Sequence, residues 1–222
     1  MRDSIQVIKL DLLTIKSYWR QIVLSYLFVS LAVMPGLPQS VNVIYFVLTS
    51  AFLMYPFMVA QQNGLNKLYS IIAIQPKTIV RAKYLSALGG MSITILLLGP
   101  TNLFINKVMK VPISLCMTIG IILLGITLYC LVVAIQLPYC FKYGYAKAKV
   151  ITMILPIGIG FGIPGIAFIA TRVLGKEVTL EFLESGIGFV ADHYVGIGAG
   201  CLLLSALVML LSYGISLRIH IT

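Results

Sequence analysis

The chain is a succession of apolar runs, each about 20 residues long, separated by short segments in which the charges collect. A run of that length crosses the hydrocarbon of a bilayer as a helix, which satisfies its own backbone where no water can. A soluble domain carries about 25% charged residues. Here charged residues make up 10% and hydrophobic ones 60%, with a mean hydropathy of +1.05. So few charges cannot clothe a soluble fold, and so much apolar surface excludes a disordered chain. The sequence is that of an integral membrane protein.

The runs fill the 222 residues as six spans, at about 20–37, 41–60, 84–105, 113–135, 150–170 and 194–217. No room remains for a soluble domain of ordinary size (~100 residues). Residues 1–222 are therefore expected to form one all-α transmembrane domain. Met-Pro-Gly-Leu-Pro at 34–38 marks a tight turn between the first two spans. Residues 1–19 lack the apolar core of a signal peptide, because Lys9, Asp11 and Lys16 interrupt it. Ile5, Ile8, Leu12, Ile15 and Trp19 recur at helical intervals. That pattern predicts an amphipathic helix in the membrane interface, its lysines toward the headgroups. A slow start to the first span is the alternative.

Charge assigns the sides. With the N-terminus inside, the inner segments hold Arg2, Lys9, Lys16 and Arg20, then Lys67, Lys77, Arg81 and Lys83. They also hold Lys142, Lys147, Lys149 and Arg218; the outer segments hold Lys107, Lys110, Arg172 and Lys176. Lys and Arg favour the cytoplasmic face, so this 12-to-4 bias predicts both termini inside the cell membrane. The connection 61–83 and the basic, aromatic loop 136–149 fall inside as well, and the acidic loop 171–193 outside. A net charge of +10 would point to nucleic acid in a soluble protein. Here it reports orientation, and no nucleic-acid partner is expected.

Some chemistry is missing. Nearly all charges lie outside the spans, against proton-coupled carriers and voltage sensors. No nucleophile with its base, carboxylate pair or metal set lies at membrane depth, so no catalytic residue is assigned. Cys116, Cys130, Cys140 and Cys201 form no CxxC and have no histidine nearby; His193 and His220 complete no ligand set. Gly160 to Gly165 matches G-x-G-x-x-G, but inside an apolar run and not between a strand and a helix, so it is coincidental. In the same span Gly158 and Gly162 have small-xxx-small spacing, as do Gly196 and Gly200 in the last. Pro156 and Pro164 would bend or break the fifth span, for packing or as a hinge. No P-loop exists, since Gly175-Lys176 is followed by Glu177. If the chain performs active transport, the energy must come from a partner.

In 61–83, Leu65, Leu68, Tyr69 and Ile72 fall at helical spacing, and Gln75-Pro76 would end that helix. Such a helix either couples the spans to a soluble motor or rests on headgroups; the residues alone leave both open. LYSIIAIQPKTIVRAKYLSAL (68–88) resembles the cytoplasmic loop of small ABC-2 type permeases, where slP-x-x-x-x-x-v-x-x-K-Y-l precedes the third span. LPYCFKYGYAKAKVI (137–151) is similar to that family's lP-x-x-F-K-x-G-y-x-K-A-r, through Pro138, Phe141, Lys142, Gly144, Tyr145, Lys147, Ala148 and Lys149. The six-span, N-in layout agrees along the whole chain.

The resemblance implies a permease paired with a second permease, identical or homologous, and with two ATP-binding cassette subunits. ATP and magnesium would bind the partner and nothing this chain. Leu65, Lys67, Leu68, Tyr69, Ile72 and Pro76 would couple to the ATPase, with Phe141, Lys142 and Tyr145 supporting a second contact. Size and pattern look like the membrane subunits of exporters for amphipathic peptides such as phenol-soluble modulins, implying amphipathic or lipophilic cargo. One departure is Gln61-Gln62-Asn63, where many relatives carry an acid. Two rival classes are a non-transport immunity or anchoring protein, which needs no coupling helix, and a passive pore. A pore needs a polar stripe along a span, and none is read.

Overall fold

The computed structural model describes residues 2–33, 40–62, 75–109, 115–173 and 194–221. Among them every regular element is helical: α1 (Arg2–Ser17), α2 (Trp19–Val33), α3 (Ser40–Phe52), α4 (Tyr55–Gln62), α5 (Pro76–Met109), α6 (Leu115–Val173) and α7 (Tyr194–Ile221). Four stretches are long and apolar enough to cross a membrane: Val41–Gln62, Lys77–Ile105, Thr118–Tyr145 and Gly196–Ile219. They correspond to the second, third, fourth and sixth predicted spans. The first predicted span is represented by the 15 residues of α2, and the fifth lies within the helical course of α6.

The helix breaks have local causes. Pro56 has no N–H to donate and its ring would crowd the carbonyl of Phe52, so α3 stops and Leu53-Met54 form a turn before α4. Met54 N–H then donates to the Ala51 carbonyl, and Phe57 N–H to that of Met54. Pro76 opens α5, at the first helical position where a missing N–H costs nothing, and the helix it was expected to end lies outside the described residues. The largest break falls at Gly144, whose φ of 71° and ψ of 166° belong to glycine alone. The helical run continues past Pro156 and Pro164.

Two segments read as connections prove helical. Residues 136–149 are not a loop: α6 runs through them, broken only at Gly144, and residues 76–83 already belong to α5. Pro138 would strand the carbonyl of Ala134 one turn earlier. Ser212 Oγ on α7 donates to that carbonyl at 2.7 Å, so the helix crosses the proline with the lost bond replaced.

The first limb of α6 is central, packed against α3 on one side and α7 on the other. Phe46 of α3 is fully buried where Gly125 presents no side chain, and Tyr129 Oη donates to the Ala87 carbonyl of α5 at 2.7 Å. Outward faces are apolar: Phe28 is 72% exposed, Leu96 74% and Leu103 73%. In water such surfaces would associate; hydrocarbon suits them.

Polar groups close the interior. Asn42 and Asn102 exchange amide hydrogen bonds (3.0 and 3.3 Å), Ser30 meets Tyr45, and Tyr26 and Thr94 both meet Thr49. Asn42, Tyr45 and Thr49 share one face of α3, a polar stripe that the sequence reading did not credit to the second span. These groups bond one another across helices, as intramembrane polar residues do when they hold a bundle together.

Candidate functional site

Contacts gather α1, α4, the start of α5, the Gly144 corner and the end of α7 at one end of the bundle. Lys83 is the hub. Its Nζ donates to both carboxylate oxygens of Asp11, at 2.7 and 2.8 Å, with each side chain only 6% exposed. The same ammonium lies 4.6 Å from the ring centroid of Phe57. Phe57 meets Phe141 edge to face at 5.5 Å, and Tyr18 packs on Tyr55 at 5.0 Å. The residue after Lys83, Tyr84, shares its hydroxyl with Ser212 (2.5 Å) and Ser216 (2.9 Å) of α7. The N-terminal helix is thereby tied, through one ion pair, to the first turns of α5.

Local sequence explains the geometry. Val7 and Asp11 are one turn apart on α1 and form its buried face, while Leu12 and Trp19, expected on the apolar face, are exposed. Lys9 and Lys16 are exposed. Burial pushes the Asp11 carboxyl above its ordinary range, against the lowering effect of Lys83's charge and hydrogen bond.

The sequence-derived residues fare differently. Leu65, Lys67, Leu68, Tyr69 and Ile72 lie outside the described residues, as does all but the first three positions of 171–193. Pro76 opens α5. Phe141 and Tyr145 are half-buried and pack on the core, whereas Lys142 is exposed, its ammonium 5.2 Å from the Tyr143 ring centroid. Pro156, Gly158, Gly162 and Pro164 all lie within the helical second limb of α6, where a Cβ at Gly158 would meet nothing within 4 Å. The same holds at Gly196 and Gly200; among the described residues the glycines that admit neighbours are Gly90, against Thr49 and Tyr129, Gly125, against Phe46, and Gly198, against Leu123.

Sequence reasoning missed the Asp11–Lys83 pair. A signal was present: between Asp11 and Glu177 the chain has no acid at all. A carboxylate one turn from a valine, followed by many cations and by no acid before Glu177, is a natural partner for a buried cation.

Among the described residues, the helices, four of them long and apolar enough to cross a membrane, and their polar cross-links define a multi-pass membrane protein, with the Asp11–Lys83 pair at one end. Residues 6–220 match the ABC-2 family transporter proteins, and the chain belongs to that family. It is thus a membrane component of a transport system. No curated protein and no solved structure matches it.

Proposed function

We propose that the chain is the permease half of an ABC-2 type exporter, driven by separate ATP-binding subunits. The observation that carries this is the family match over residues 6–220. The chain crosses the membrane six times, with both termini cytoplasmic, α1 in the interface and the 12 cations of the inner segments on the cytoplasmic side. A second permease, the same or homologous, completes the pathway, and two ATP-binding cassette subunits supply the energy. ATP and magnesium bind there.

Coupling runs through residues 65–74, which enter a groove on the ATPase by Leu65, Leu68, Tyr69 and Ile72, with Lys67 beside them and Pro76 opening the third span. The gathering of α1, α5 and the Gly144 corner around Lys83 supports this reading, because a push delivered ahead of Pro76 reaches all three. Phe141 and Tyr145 transmit from within the core, and Lys142 stands at the surface. Pro156, Gly158, Gly162 and Pro164 serve packing or bending of the fifth span. The cargo is an amphipathic peptide or lipophilic compound, matched to aromatic and aliphatic faces.

Tyr69→Asp tests the coupling. A charge placed in an apolar groove costs several kcal/mol, roughly, against a protein partner. The variant is expected to insert and fold, yet to lose ATPase co-purification and substrate-stimulated hydrolysis together. Tyr194→Asp, at the other end of the chain's last helix, should keep both. Retention of the ATPase with normal stimulation in Tyr69→Asp would return residues 65–74 to the lipid surface.

A further inference from the structure

A groove of about 290 Å³ opens between α6 and α7 at the basic end of the bundle. Its wall is apolar, from Ala134, Ile135 and Ile215; its mouth is made by Tyr139, Lys142 and Tyr143. Ala134 and Lys142 are eight residues apart on α6, so the mouth lies about 12 Å along the axis from the wall's far end. The groove is built. The Tyr139 and Tyr143 rings meet at 4.6 Å, tilted by 40°, and the Lys142 ammonium lies 5.2 Å from the Tyr143 ring centroid. Pro138 lies in the lining, and the Ser212 bond to Ala134 fixes the two helices against each other there.

We propose that this groove holds one anionic phospholipid, its phosphate at Lys142 and the tyrosine hydroxyls, its acyl chains along Ile135 and Ile215. Charge complementarity selects the occupant. Neither α6 nor α7 contains a single acid, and the carboxylate of Asp11 is committed to Lys83. The mouth therefore offers a cation and hydroxyl donors with no carboxylate on its own helices to satisfy them. A cation above an apolar wall, flanked by tyrosines, is the arrangement that meets a headgroup at the edge of hydrocarbon. The volume falls just short of sites that enclose a drug-sized molecule, about 300–1,000 Å³. It suits a headgroup and the first part of its chains, the rest running into the bilayer past Ile215, which is 51% exposed. The inference does not depend on the ATPase or the cargo.

Native mass spectrometry of the whole chain, purified in mild detergent, tests it. The probes are dioctanoyl phosphatidylglycerol, dioctanoyl phosphatidylcholine and inorganic phosphate. One phosphatidylglycerol is expected per chain, retained at least tenfold better than phosphatidylcholine, with no adduct from phosphate alone. Lys142→Gln should reduce phosphatidylglycerol retention about tenfold, and Ile215→Trp, which fills the groove, should reduce it as well. Lys107→Gln, on α5, should leave it unchanged. Unaltered retention in Lys142→Gln, equal retention of the zwitterionic lipid, or unaltered retention in Ile215→Trp would overturn the proposal.

Discussion

Replacing Lys83 by Met should damage the protein more than replacing both Lys83 and its partner. The pair is enclosed, each side chain 6% exposed, so Lys83→Met leaves Asp11 without its two hydrogen bonds and its counter-charge. Breaking such a pair costs about 3–5 kcal/mol, whereas exchanging both members for apolar side chains is often neutral or stabilising. At about 2–4 °C per kcal/mol for a chain of this size, Lys83→Met should lower the unfolding midpoint by about 6–20 °C. Asp11→Leu combined with Lys83→Met should recover most of the loss. The assay is thermal unfolding in mild detergent, read by retention of the monodisperse species. Acid should help the single variant. Burial raises the folded-state pKa of Asp11 above its ordinary 3.8, so its stabilising contribution is full below that value and is lost as pH rises through the folded-state value. Without Lys83 that contrast grows, and the deficit should shrink on acidification. A double variant no better than Lys83→Met, or a deficit independent of pH, would refute the account of the pair.

Single cysteines replacing Lys67 and Glu181, in a background without native cysteines, should react with impermeant reagents from opposite faces; reaction of both from outside would overturn the six-span orientation. Gly125→Ala should cost about 1–3 kcal/mol in a thermal melt, because the new methyl overlaps the Phe46 ring, while Gly120→Ala, with open space at its Cβ position, should be near neutral. Deleting the gene should raise the cellular level of an amphipathic peptide or lipophile, or sensitise cells to it. If neither peptide nor lipophile accumulates in the deletion strain, the cargo assignment fails.

Hydropathy alone located four of the helices that are long enough to span, because apolar length is a direct physical requirement of the bilayer. It misjudged their ends. Lys77–Ile105 and Thr118–Tyr145 extend into segments read as loops, since a helix can carry lysines and tyrosines out past the hydrocarbon while its backbone bonds continue. Pro138 lay in a segment read as a loop, and the tertiary bond from Ser212 shows how the helix crosses it. Gly144 was noticed as part of a motif, but its positive φ is a backbone fact that spacing does not contain. The glycine pair 196/200 has small-xxx-small spacing, yet among the described residues Gly90, Gly125 and Gly198 admit the neighbours, because packing depends on which face meets another helix. Of the basic end, the cations were legible and the carboxylate that buries one of them was not. Pairing Asp11 with Lys83 joins residues 72 positions apart, beyond the reach of any local pattern.

The central claim is that this membrane protein works through an ATP-driven partner, and affinity purification from native membranes in mild detergent tests it most directly. The account predicts that an ATP-binding cassette protein co-elutes, that the complex hydrolyses ATP, and that an amphipathic peptide stimulates the hydrolysis. A chain that elutes intact and folded, yet with no ATP-binding protein and no ATPase activity, would contradict it.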